Sequence, residues 1–173
     1  MNWKVSLISF LDRFRQFSEH PFVRLREIEL TEGMTFLDIG CALGFYSFPA
    51  SSIVGEKGLV YALDINSALI QYVTNKAKKQ GILNIKPITA DAGKTGLPKE
   101  SVDIVFFHLV LHDIKNKHAA LKEFYRILKK DGKLVVDEET VMPLGEIKKL
   151  AEDSGFMFLK HLRKTIQIFK KES

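Results

Sequence analysis

Three carboxylates stand at or just past the ends of short apolar runs: Asp38 within residues 34–39 (MTFLDI), Asp64 closing residues 58–64 (GLVYALD), and Asp91 after residues 85–90 (IKPITA). The first is followed by Gly40-Cys41-Ala42-Leu43-Gly44, small residues that let the backbone pass close to a ligand while the next helix offers free N–H groups. A carboxylate at Asp64 can accept two hydrogen bonds from a ribose diol, a feature shared with dinucleotide-binding loops. Asp91-Ala92 suits an adenine, the acid taking the exocyclic amine while a backbone N–H meets a ring nitrogen. Asp38 sets the sign of the ligand's charge. It would repel a pyrophosphate, whereas a sulfonium or ammonium group gains on the order of a few kcal/mol beside it at intermediate dielectric. The loop also lacks the Lys-Ser/Thr pair of a triphosphate site. The pattern calls for a cationic nucleoside.

Two histidines, His108 and His112, follow the apolar run 102–107 (VDIVFF), with Asp113 beside them. Their spacing of four is that of a metal pair on a helical turn, but no glutamate stands between them as in HExxH and no third ligand is near, so no metal is assigned. Both are candidates for the catalytic side of a pocket, His108 at the strand tip and His112 facing an acceptor as a base or orienting group. The alternative is a packed, hydrogen-bonded pair. Near the start, Trp3, Leu7, Phe10, Leu11, Phe14 and Phe17 fall at helical spacing. They predict an amphipathic helix over residues 1–19, packed on the domain, roofing an acceptor pocket or touching a membrane surface for a lipophilic substrate, and Arg24 or Arg26 would reach that pocket's rim.

These residues need a frame to hold them. A chain of 173 residues with 46% hydrophobic and 27% charged residues fits one domain with one well-filled core, here taken as residues 1–173. The single cysteine, Cys41, excludes an internal disulfide and suits a reducing, cytoplasmic setting. The net charge of +5 comes from dispersed lysine pairs, which reads as a solvated surface and against nucleic acid. No apolar run approaches the roughly 20 residues that span a bilayer, and the charged N-terminal run reads against a signal peptide.

Strand-like and helical segments alternate along the chain. Strands are expected at 34–39, 58–64, 85–90, 102–107, 133–137, 156–161 and 164–170, with helices over 44–54, 66–80, 116–130 and 144–154. Pro87 places the third strand toward the outside of the sheet, and the last two strands are close enough to form a hairpin. Parallel neighbours need helical crossovers, so the alternation predicts an α/β fold: a three-layer α/β/α, doubly wound, Rossmann-like sandwich on a mostly parallel sheet.

The segments FLDIGCALGFYS, VYALDIN, ITADA, VDIVFFHLVLHDI and LKKDGKLVVDE together resemble the successive motifs of class I S-adenosylmethionine-dependent methyltransferases, nearest the small-molecule group that includes quinone-biosynthesis enzymes. The likeness covers residues 20–140. It implies a seven-stranded sheet of order 3-2-1-4-5-7-6 with strand 7 antiparallel, and S-adenosyl-L-methionine as cofactor. Carried onto this chain, the cofactor-binding set is Asp38, Gly40, Cys41, Ala42, Gly44, Asp64, Ile65, Asp91, Ala92 and His108. Ala42 stands where the family usually has glycine, which costs on the order of 1 kcal/mol if positive φ is required.

The implied reaction is in-line methyl transfer to a small-molecule acceptor, for which positioning in a dry pocket supplies much of the rate and a base is needed only for a protonated acceptor. Phe106-Phe107-His108-Leu109 is not the Asn/Asp-Pro-Pro-Tyr/Phe tetrapeptide of amide or adenine amino methylation, and no Pro-Cys supports a covalent cytosine route. An RNA methyltransferase and a non-catalytic cofactor-binding partner protein stand as the alternatives.

Overall fold

The computed structural model describes residues 20–138 and 142–172. The N-terminal stripe expected to form a helix lies outside them.

The chain enters through α1 (Pro21–Glu27), opened by a proline at its first turn. The crossover units then follow: β1 (Thr35–Ile39), α2 (Ser47–Val54), β2 (Leu59–Asp64), α3 (Ser67–Lys79) and β3 (Ile85–Thr89). The second half comprises β4 (Val102–His108), a short 3-10 turn (Leu111–Asp113), α4 (Lys117–Ile127), β5 (Leu128–Asp137), α5 (Leu144–Glu152), β6 (Phe156–Leu162) and β7 (Ile166–Lys171). All seven strands form one sheet of order β3-β2-β1-β4-β5-β7-β6. Pairings from β3 to β5 are parallel, and β7 runs antiparallel to both β5 and β6. The expected topology is therefore the observed one, with Pro87 on the outer strand where a missing N–H costs least.

Side-chain alternation builds the three layers. Leu37, Ile39, Val105, Phe107, Leu134 and Val136 point to one face and pack with Leu121 and Phe124 of α4 and Ile147 and Ala151 of α5. Their neighbours Phe36, Val60, Ala62, Ile104, Phe106 and Val135 point to the other face, against Leu25 of α1, Ala50 and Val54 of α2, and Ile70 and Val73 of α3. Long apolar strands buried on both faces are what a parallel sheet requires.

Two helix boundaries differ from expectation. The helix anticipated from residue 44 starts at Ser47, because Ala42 (φ 48°) and Gly44 (φ 80°) hold the chain in left-handed turns. The helix anticipated to residue 130 ends at Ile127, since Leu128 is already extended (φ −65°, ψ 137°) and pairs with Val102 across a local irregularity in the β4–β5 ladder. The fifth strand thus runs from Leu128 and not from Lys133.

Ionic ties fasten α1 and Glu29, two residues past its end, to the far half of the sheet. Glu29 is hydrogen-bonded by Lys133 and Lys160, which hold its carboxyl down at about 2, and Glu27 pairs with Arg163. Buried Arg24 reaches Asp137 at the end of β5.

Candidate functional site

The glycine-rich loop follows β1 and is fixed by its neighbours. Gly40 sits at φ 65°, and a Cβ built there would lie 2.3 Å from Val110 Cγ2, so the loop after β4 closes onto a position only glycine tolerates. Ala42, at φ 48°, does adopt the strained conformation that its departure from glycine raised. Its N–H donates to Asp64 Oδ2 at 3.1 Å, while Asn66 N donates to Asp64 Oδ1 at 2.9 Å. Asp64, the last residue of β2, therefore clamps the loop with both carboxylate oxygens.

Asp38 lies one pleat back on β1, 3% exposed. Ser47 Oγ, in the first turn of α2, donates to its Oδ2 at 2.5 Å. Burial, joined by the nearby charge of Asp64 and opposed by the Ser47 hydrogen bond, pushes the Asp38 carboxyl up to about 7. The described residues provide no cation to offset it. A buried, strained carboxyl of this kind is relieved by a positively charged ligand. Burial, with Asp38 and Asp64 nearby, also pushes the Cys41 thiol upward, which keeps it from serving as a thiolate nucleophile.

A cleft opens at the carboxyl ends of β1 and β4, walled by Asp38 through Ala42, by Phe45 and Tyr46, and by His108. Gly44 is not among the lining residues; a Cβ there would lie 2.6 Å from the Phe48 ring. Around the rim, Ile65 is 73% exposed, an apolar side chain left in water beside Asp64. Asp91 lies two residues past β3, where its Oδ1 accepts from Gly93 N at 2.8 Å and its backbone bridges to Lys94, with Ala92 within the turn. The strand thus stops at Thr89, and the acid is held by a turn instead of a ladder.

The two histidines part company. His108, last in β4, turns its Nδ1 to Asp137 Oδ2 at 2.8 Å and meets Tyr46 edge-on at 5.0 Å between ring centroids. His112, in the 3-10 turn, contacts Glu138 from Nδ1 at 3.2 Å and Asp113 from Nε2 at 3.5 Å, and it does not line the cleft. Among the described residues no three His, Cys, Asp or Glu side chains converge as metal ligands. Sequence reasoning missed Ser47, Tyr46 and Asp137. Asp137 was open to discovery, being a further acid at a strand end like Asp38 and Asp64.

The sheet order, with the glycine loop between β1 and α2 and acids at the ends of β1 and β2, is that of the S-adenosylmethionine-dependent methyltransferase fold. Comparison with known proteins agrees. Residues 30–170 match the family model described as a methyltransferase domain, and the chain belongs to that family. It is 30% identical over 128 residues to the ubiquinone/menaquinone biosynthesis C-methyltransferase UbiE of Vibrio vulnificus, covering 73% of this chain and 49% of that one. A Shewanella relative of the same name is 33% identical over 126 residues, covering 70% and 50%. The chain thus spans about half the length of these curated relatives. Among solved structures, an S-adenosylmethionine-dependent methyltransferase from Aquifex aeolicus superposes with a TM-score of 0.84 at 28% identity, covering 96% of this chain and 97% of that one. A TehB-like methyltransferase from Corynebacterium glutamicum shares the fold, with a TM-score of 0.74 at 18% identity over 95% and 97% of the two chains. S-adenosylmethionine is the cofactor.

Proposed function

We propose that this chain, as a single methyltransferase domain, transfers the cofactor's methyl group to a ring carbon of a small hydroxylated aromatic, the reduced form of a quinone. The observation that carries the acceptor class is the 30–33% identity to C-methyltransferases of ubiquinone/menaquinone biosynthesis over 126–128 residues. Chemistry narrows it further. The bound cofactor supplies an electrophilic methyl group on a sulfonium. A quinone ring is electron-poor, so its carbon becomes a nucleophile only in the hydroquinone form, with a hydroxyl ionised or ionising.

The chain's own residues divide the remaining work. Asp38, kept oriented by Ser47, faces the cofactor's cationic end. Gly40, Cys41, Ala42 and Gly44 supply close-approaching backbone, and Asp64 accepts from the ribose while Ile65 covers a face of the base. Asp91 and Ala92 receive the adenine edge. Phe45 and Tyr46 exclude water from the side of the cleft that faces the acceptor.

Among the described residues no helix is long and apolar enough to cross a membrane. We place the activity in the cytoplasm on the strength of the buried free thiol of Cys41. No observation favours RNA as the acceptor or a purely non-catalytic role. Anaerobic incubation with S-adenosylmethionine and a demethylated hydroquinone, followed by mass spectrometry, tests the reading. S-adenosylhomocysteine and a ring-methylated product are expected. Methylation confined to an RNA fraction would overturn it.

A further inference from the structure

His108 holds a proton-accepting nitrogen that no group among the described residues uses. Asp137 lies at its register partner on β5 and is fully buried. Thr165 Oγ1 donates to Asp137 Oδ1 at 2.9 Å, and Arg24 Nη1 donates to Oδ2. Burial alone would raise this carboxyl, but His108 and Arg24 together hold it below the usual range. An ionised Asp137 has no proton to give, so the 2.8 Å contact to His108 Nδ1 requires the imidazole to be the donor. In the neutral ring the proton is then on Nδ1, and Nε2 carries the lone pair.

That Nε2 is buried and has no hydrogen-bond partner among the described residues, on a side chain only 6% exposed that lines the cleft. An orphaned acceptor in a polar cleft is costly unless a ligand completes it. Position favours the acceptor over the cofactor cation. Asp38 pairs in register with Phe106, so His108 stands one strand over and one pleat further out on the same face, roughly 8 Å away by standard sheet spacings. The cationic end of the cofactor is drawn to Asp38, and the next group outward along the cleft meets His108.

We propose that His108 Nε2 is the general base that takes the hydroxyl proton of the methyl acceptor, with Asp137, Arg24 and Thr165 as positioning residues. This rests on the hydroquinone reading above. The acceptor's O–H bond breaks, and its proton moves to Nε2 to give an imidazolium facing Asp137. The electron pair released into the ring forms the new carbon–methyl bond as the methyl–sulfur bond breaks, its pair remaining on the neutral thioether. The displaced ring proton then passes to water as the ring regains its aromaticity, and His108 returns its proton to the phenolate oxygen, restoring the starting state with one proton released overall.

His108→Gln in the full chain should lower kcat by about 10²–10⁴-fold while leaving the Kd for S-adenosylhomocysteine within about twofold. The deficit should shrink with a nitro-substituted hydroquinone that is already ionised at the assay pH. Equal loss with both acceptors, unchanged kcat, or loss of S-adenosylhomocysteine binding would each overturn the proposal. A second measurement needs no turnover. In the ¹⁵N spectrum of the wild-type imidazoles, His108 should show the Nδ1–H tautomer, and its Nε2 signal should shift when a phenol binds beside S-adenosylhomocysteine. Asp137→Asn should move the tautomer balance toward Nε2–H. A wild-type enzyme inactive on every hydroquinone removes the quinone reading alone. An Nε2–H tautomer, or an Nε2 signal indifferent to the phenol, removes the base.

Discussion

Asp64 serves the glycine-rich loop as well as any ligand, because its two oxygens take the N–H groups of Ala42 and Asn66. Replacing it therefore removes loop anchoring together with the proposed ribose contact. Hydrogen bonds to a charged group contribute roughly 1.5–3 kcal/mol, so Asp64→Ala should weaken S-adenosylhomocysteine binding by that amount and lower Tm as well. Calorimetric titration showing an unchanged Kd would remove Asp64 from the ribose role. Ala42 tests the loop from the opposite side. Its φ of 48° is one that an L side chain occupies at a cost of about 1–2 kcal/mol. Glycine relieves that cost but forfeits roughly 0.5–1 kcal/mol through the freer unfolded chain. Ala42→Gly should come out ahead, raising Tm by about 1–4 °C. A lower Tm in differential scanning calorimetry would show that the methyl's contacts outweigh the strain.

The helices and strands carry the loop through ties that are long in sequence. The Asn84 side-chain amide donates to Ser51 O at 3.0 Å and Gly55 O at 2.8 Å, and its carbonyl accepts from Ser51 Oγ at 2.6 Å. A residue on the approach to β3 thereby closes the end of α2, the helix whose first turn holds Asp38 through Ser47. Asn84→Ala should cost about 2 kcal/mol, a fall of roughly 4–8 °C in Tm, with a smaller effect on cofactor affinity than Asp64→Ala. A thermal melt indistinguishable from wild type would show that water replaces the amide. The strand sequence itself was legible, since MTFLDI, GLVYALD and VDIVFF are short apolar runs with turn signals at their ends. So was the outer place of β3, from Pro87. Partners set by register were not. His108 and Asp137 meet because β4 and β5 align them across 29 residues, and no local pattern encodes that alignment. Ser47 hid for a related reason: the left-handed turns at Ala42 and Gly44 decide which hydroxyl of α2 faces Asp38. The end of α4 was obscured because Leu128 continues the helical stripe of Leu121 and Phe124 while its backbone already belongs to β5.

On the scale of the whole molecule, Asp38 links folding, cofactor and pH. Its carboxyl has an ordinary value of 3.8 and is pushed up to about 7 in the folded protein without ligand, chiefly by burial. The unfolded chain releases this proton near 3.8, whereas the folded chain keeps it until about 7. Between those values the folded state binds the extra proton, so this group's contribution to stability declines as pH rises and levels off above about 7. Asp38→Asn keeps an oxygen for Ser47 and carries no charge. It should therefore melt higher than wild type at pH 8, and the difference should close as pH falls toward 4. In the proposed binding mode the cofactor reverses the preference, because a positive charge beside Asp38 favours the ionised carboxyl. Below about pH 7 binding must first expel the proton, and the apparent affinity for S-adenosylmethionine should fall by up to about tenfold per pH unit. Above pH 7 it should be flat. The stabilisation that S-adenosylmethionine gives the wild type follows the same course, since ligand-induced gain in Tm tracks RT ln(1 + [L]/Kd). The variant should gain little at any pH. Thermal melts of both proteins from pH 5 to 9, with and without S-adenosylmethionine, decide the matter. A wild-type Tm gain that is constant across that range, or a variant that gains as much as wild type at pH 8, would show that Asp38 does not meet the cofactor's charge.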